Sequence, residues 1–341
     1  MRNDVLNLST HCLQQWREEL AGAPVALHRR VLSGIARDLE RAVKFVLPEG
    51  GRLMDDDRSV ARVFHDLRLP FPVVALEYRS TGVVAAHETP SSKRISLIWD
   101  ARQAEPALLE GTAASRGVLP GAPGLYVQSI SYMDDYEAWM PVMATAYVDL
   151  AREPVIPEPG DVSELELELV RHRLRPGFER SPAFPVQFIA HDDFFLDHLG
   201  GEAAADAIFR ADSGDELSAA LAFAALTTCA NVAMETVRAP APLNRKREAS
   251  GKTPFFDTRI LQVADGGYVS RGTADAGGAG SHASPRAHLR RGHIRSLGER
   301  NVWVNAAAVN AWKATPAQPG YQLQAVRDEN DEAGDLPRPR G

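Results

Sequence analysis

The chain has 341 residues, 44% of them hydrophobic and 24% charged, an ordinary globular composition that excludes collagen-like and low-complexity chains and allows one large domain or two moderate ones. Its net charge of −7 is unevenly spread: the window Arg238–Arg300 holds twelve Lys and Arg against five Asp and Glu, a net +7, so the remainder carries −14. An acidic body with one basic segment excludes a general polycation and points to a localised anionic contact, or to a basic segment docked on the protein's own acidic surface.

No apolar run approaches the ~20 residues that a membrane-spanning helix needs, and Met1-Arg2-Asn3-Asp4 leads into amphipathic sequence, not into a signal peptide. The expectation is a soluble, cytoplasmic chain with no membrane partner. Cys12 and Cys229 lie far apart in apolar surroundings and read as buried small hydrophobes in a reducing compartment.

Taken in order, Val5, Leu8, Cys12, Trp16 and Leu20 recur at helical spacing. Gly22-Ala23-Pro24 breaks that helix, and a second is expected with Leu32, Ile35, Leu39, Val43 and Val46 on one side, ending near Pro48–Gly51. A short helix is predicted over Asp57–Leu67, with Val60, Val63, Phe64 and Leu67 inward. Strands are predicted at Phe71–Tyr78, Arg94–Trp99, Leu125–Tyr132 and Met140–Leu150, separated by Gly, Pro and Ser. Gly121-Ala122-Pro123-Gly124 reads as a turn. From Glu164 to Val170 glutamate and leucine alternate strictly, as in a strand with one solvated face. The longest helix is predicted over Asp215–Val237, apolar and therefore buried, and stopped by Pro240 and Pro242. Strands at Phe255–Val263 and Val302–Val309 flank a Gly/Ala/Ser-rich connection over Asp265–Ala283. The tail from about Ala314, rich in Pro, Asp and Glu, is expected to be disordered. Together these elements predict an α+β fold: N-terminal helices and strands over 1–150, an α+β region over 151–312 with its basic segment at 243–310, and a tail over 313–341.

Phosphate-binding Gly-rich loops, dinucleotide fingerprints, zinc-finger spacings and nucleophile elbows are all absent from the sequence. His191-Asp192-Asp193 with Asp197-His198 offers hard-metal ligands reminiscent of His-Asp phosphohydrolases. The interleaved Phe194, Phe195, Leu196 and Leu199 read instead as the buried side of a surface helix.

The densest chemistry lies in two basic runs. The first is Asn244-Arg245-Lys246-Arg247, followed by Gly251-Lys252-Thr253-Pro254-Phe255-Phe256. The second, Ser284 to Arg295, places Arg286, Arg290, Arg291 and Arg295 with His288 and His293 within ten residues. Arginine forks grip phosphate through paired hydrogen bonds and stack on bases. Gly292 permits an unusual backbone conformation or a close approach, and Trp303 can pack under an arginine or against a base. Three readings stay open at this point: a phosphate-rich partner such as RNA; a basic hairpin paired with the acidic body; and a catalytic or metal site through His288 and His293.

The strings Pro285–Leu297 (PRAHLRRGHIRSL) and Val302–Asn310 (VWVNAAAVN) resemble the C-terminal signature of the second type V-A anti-CRISPR family, carried by phages and plasmids. The matching positions are Pro285, Arg286, His288, Arg290, Arg291, Gly292, His293, Trp303, Val309 and Asn310, and the likeness extends over about Leu221 to Asn310. The family's bulky aromatics after Gly-His are replaced here by Ile294 and Leu297. The resemblance implies an adaptor that recognises a nascent polypeptide of its target at the ribosome and promotes degradation of the mRNA being translated, through a host nuclease. It implies no cofactor and no metal. Phosphate contacts then fall to Arg245, Lys246, Arg247, Arg286, Arg290, Arg291 and Arg295, with His288 and His293 shaping the site. The alternatives are a metal-assisted nuclease using His288 and His293, and a non-catalytic RNA- or protein-binding module.

Overall fold

The computed structural model describes residues 7–22, 26–54, 57–84, 89–110, 117–155, 182–263, 288–290, 292–298, 300–305 and 307–309. The Glu164–Val170 strand, the Asp265–Ala283 connection, the tail, Arg286 and Arg291 lie outside the described residues, as do the side chains of His288 and Arg290.

Helices α1 (Leu8–Gly22) and α2 (Ala26–Arg41) form the expected N-terminal pair. Helix α2 stops earlier than its apolar spacing predicts, because Val43–Val46 leaves it as strand β1. Lys44 enforces that ending: its ammonium donates to the carbonyls of Leu39, Glu40 and Ala42, satisfying acceptors that the helix leaves open. It also lies 3.7 Å from the centre of the Phe256 ring. The buried Glu77 does the complementary work at the start of α1, accepting from the backbone N–H of Leu8 and Ser9. One buried lysine and one buried glutamate thus fix the ends of the two helices.

The short α3 (Arg58–Ala61) and a 3-10 turn at Phe64–Asp66 lead into strands β2 (Val73–Val84), β3 (Thr89–Asp100), β4 (Gly124–Met133), β5 (Ala138–Pro141) and β6 (Ala144–Asp149). Strand β7 (Val186–Ala190) precedes α4 (Asp193–His198) and the long α5 (Glu202–Thr227). Then come β8 (Val232–Val237), α6 (Ala241–Ala249) and β9 (Thr258–Val263). Strands β1 to β9 make one nine-stranded sheet in the order β7-β6-β4-β3-β2-β1-β9-β8, with β5 also on β4. β1 runs parallel to β2 and β9, and the other pairings are antiparallel, so the sheet is mixed and the fold is α+β. Strands from both sides of residue 150 enter it, so the two regions expected from sequence build one sheet.

Alternation along each strand splits the core in two. Ala75, Leu97, Trp99 and Tyr126 face α1 and α2, meeting Trp16, Leu32, Ile35 and Leu39. Phe45, Leu76, Ile98 and Val127 face α5 and meet its run Ala219–Leu226. Helix α5 differs from the predicted Asp215–Val237 at both ends. It starts just after Gly200 and Gly201, both at positive φ, and runs through an alanine-rich first half that lacked an apolar stripe to mark it. It ends at Thr227 because Val232-Ala-Met-Glu-Thr-Val237 pairs with β9 as an edge strand.

Candidate polyanion-binding surfaces

The C-terminal segment forms β10 (His288–Arg290), β11 (His293–Ser296), β12 (Asn301–Val304) and β13 (Ala307–Val309). Strand β10 pairs with β13 and β11 with β12, both antiparallel. His288↔Val309 and His293↔Val304 keep one offset, so the two ladders are the halves of a single hairpin in one register. Leu297 donates to the Arg300 carbonyl across its tip.

The hairpin is anchored by its apolar residues. Ile294 and Trp303, paired across the strands, are 2% and 6% exposed and join the core on the α5 side. Asn231 clamps Trp303 at both backbone groups, accepting from its N–H and donating to its carbonyl, while Ala230 donates to the Asn301 carbonyl. The Trp303 indole N–H donates to the Asn305 side chain. Trp303 is therefore a core anchor, and the expected stacking against a base is not open to it. Gly292 takes the close approach predicted for it, but toward the protein: a Cβ there would stand 2.6 Å from Cζ2 of Trp303.

Arg295 projects from this hairpin and is exposed, paired in register with Val302; Arg300 at the tip is exposed as well. Sequence reasoning missed their neighbours. Helix α3 packs on β11, and the Arg68 carbonyl accepts from Thr227 at the end of α5. The exposed Arg62 and Arg68 follow α3 toward the C-terminal end of α5, where the helix dipole favours cations. Arg62 and Arg68 stand more than 200 residues before the hairpin, so spacing carried no signal for them.

The first basic run is a helix and not an extended connection. α6 contains no buried residue, and Arg245 and Lys246 are exposed on it, with Lys252 exposed just beyond. Asn244 holds the helix down by donating to the Phe255 carbonyl and accepting from its N–H. Arg247 departs from its expected role: its guanidinium donates to the Thr253 carbonyl and lies 4.2 Å over the Phe255 ring, closing the turn after α6. Arg238 is exposed but paired with Asp257 at 2.9 Å. The loop below α6 rests on α1, where Thr10 donates to the Pro254 carbonyl and Gln14 accepts from the Thr253 N–H.

The two basic runs, adjacent in the sequence reading, are thus parted by the fold. The hairpin adjoins the Val232 end of β8 and α6 the Val237 end, a separation of ~16 Å along the strand. Positions 288 and 293 stand five residues apart on one hairpin arm, a reach of ~16 Å when extended. No group of three or more His, Cys, Asp or Glu placed to hold a metal ion occurs among the described residues.

The His191–His198 segment departs from the buried helix side expected of it: Phe194 is 61% exposed, and Leu196 and Leu199 are half-buried. His191 lies outside α4, buried at the end of β7, with Nε2 3.1 Å from the Thr145 hydroxyl. Thr145 donates to Gln128, whose amide donates to the carbonyls of Ser129 and Val142. Burial, and secondarily Arg30, pushes the His191 imidazole down to about 3. Asp192 pairs with Arg30, and His198 stacks on Phe194. Among the described residues, no helix is long and apolar enough to cross a membrane. Comparison with protein-family models, curated proteins and solved structures finds no match.

Proposed function

We propose that this chain is a mobile-element regulator that acts as an adaptor during translation: it holds mRNA or the ribosome through the basic edge of its sheet, engages a nascent polypeptide elsewhere, and leads a host nuclease to the message. The observation that carries the reading is α6, which buries no residue fully and presents Arg245 and Lys246 to solvent. Exposed cations on a held helix suit phosphate contacts, which need charge and reach more than shape. Arg295 and Arg300, with Arg62 and Arg68, supply a second cationic surface at the other end of β8. The likeness of Pro285–Asn310 to the anti-CRISPR signature supports the translational context, with the type V-A effector nuclease as one such target.

The test is binding of labelled single-stranded RNA, and co-sedimentation with translating ribosomes, over a series of salt concentrations. Removing two phosphate contacts in Arg245→Ala/Lys246→Ala should lower the log–log salt slope by about 1.4. Arg295→Ala should lower it by about half as much. An unchanged slope and unchanged ribosome association in the combined variant, with the fold intact, would remove polyanion binding from the basic edge.

A further inference from the structure

At the opposite edge of the sheet the chemistry reverses sign. β7 pairs with β6 on one side and with no strand on the other among the described residues. Asp149 donates to the Pro185 carbonyl, and His191 donates to the Met143 carbonyl. Hydrogen bonding alternates along an antiparallel pair, so these two bonds direct the N–H and C=O of residues 186, 188 and 190 outward. The Val186 carbonyl is already taken, at 2.9 Å, by the Arg210 guanidinium. Phe188, half-buried, and Ala190, 6% exposed, carry the next outward donors and acceptors along the strand.

A cleft of about 100 Å³ opens beside these groups, lined by Phe188, Ala190, Leu196, Phe209, Glu202 and Asp206. Its walls are aromatic and aliphatic, and its rim carries two carboxylates one helical turn apart on α5. The volume suits a single side chain, not a drug-sized ligand. Arg210 shows what chemistry this edge accepts. Its guanidinium lies 5.5 Å from the Phe188 ring centre and donates at 2.6 Å to Asp206. Asp197 on α4 is exposed as well.

We infer that the outer edge of β7 takes an extended peptide as an added strand, with a lysine or arginine side chain of that peptide reaching the Glu202 carboxylate at the cleft rim, beside the Asp206–Arg210 pair. Main-chain bonds to Phe188 and Ala190 supply affinity, and the acidic cleft selects the side chain. The polyanion surfaces lie at the β8 edge, seven strand spacings or ~34 Å away across the sheet. The inference therefore stands apart from RNA binding, and either can fail alone.

The probe is a fluorescein-labelled peptide alternating valine with lysine, titrated into the full chain and followed by anisotropy and by amide hydrogen exchange. Binding should slow exchange at the Phe188 and Ala190 amides and weaken with salt. Glutamate in place of lysine, or N-methylation of alternate peptide amides, should abolish it. Glu202→Gln should weaken binding roughly tenfold, as loss of one charge-assisted contact does. Ala190→Pro removes an outward N–H while sparing the ladder to β6, and should abolish binding. Equal binding of the glutamate or N-methylated peptide, or protection at other amides, overturns the proposal. So does self-association of the chain that protects the same two amides without peptide.

Discussion

Replacing Arg94 by methionine should destabilise the chain by about 3–5 kcal/mol, because it strands a carboxylate beyond the reach of water. Arg94 and Glu216 are each 0% exposed, with Nη1 3.0 Å from Oε1 between β3 and α5. At an effective dielectric of about 20, charges at that distance attract by about 5–6 kcal/mol. Burial works against the Arg94 charge, but Glu216, then Tyr78 and Asp215, outweigh it and hold the guanidinium protonated, while burial pushes the Glu216 carboxyl up and Arg94 opposes that rise. Arg94 also donates to the Val83 carbonyl, and Ser96 donates to the Glu216 carbonyl, so the pair pins the middle of α5 to the sheet. Glu216→Leu should cost a similar amount. The double variant should cost far less than the sum, with a coupling energy of about 3 kcal/mol, since an apolar pair of similar volume needs no solvation. Urea unfolding of the four chains gives the cycle, provided the denaturant slopes agree. Single costs that simply add, to within about 0.5 kcal/mol, would show that the two side chains do not share a buried ion pair.

His191 sets an acid limit on stability. Its folded pKa is pushed to about 3 and its unfolded value is about 6.5, so below the latter the unfolded chain binds the extra proton. Stability should therefore fall by about 1.4 kcal/mol per pH unit as pH drops from about 6.5 toward the folded value. His191→Gln should remove that slope, and an unaltered slope in the variant would refute the assignment. Gly292→Ala tests the hairpin anchor: its Cβ would meet the Trp303 ring at 2.6 Å, and overpacking of this kind costs about 1–3 kcal/mol. Thermal unfolding with tryptophan emission reads it. The same substitution at Gly117, where a Cβ meets nothing within 4 Å but φ is +82, should act through backbone strain and leave the tryptophan signal unchanged.

The apolar spacing of α1 was legible because burial on one face imposes a period, and β2 to β4 were legible as β-branched and aromatic runs because both their faces are buried. The ends of α2 and α5 were not. Val43 and Val46 continue the helical spacing of α2, and only pairing of their segment with β2 and β9 makes it strand. Of the residues expected to meet nucleic acid, Arg245, Lys246 and Arg295 stand exposed, whereas Arg247 and Trp303 are held by Phe255 and by the core. A tryptophan or arginine in a basic run carries the same letter whether it faces a ligand or its own protein. Arg62, Arg68, Glu202 and Asp206 went unnoticed because their partners are remote in the chain.

Composition and periodicity by themselves determined the class of the fold, most of its strands and the unequal distribution of charge, since these depend on local spacing alone. The tertiary structure decided that the basic residues form two surfaces on one sheet edge and that acidic ones face the other. It also decided that one tryptophan anchors instead of stacking. Those outcomes turn on strand order and register, which arise from pairings between residues tens to hundreds of positions apart, and no local pattern encodes them.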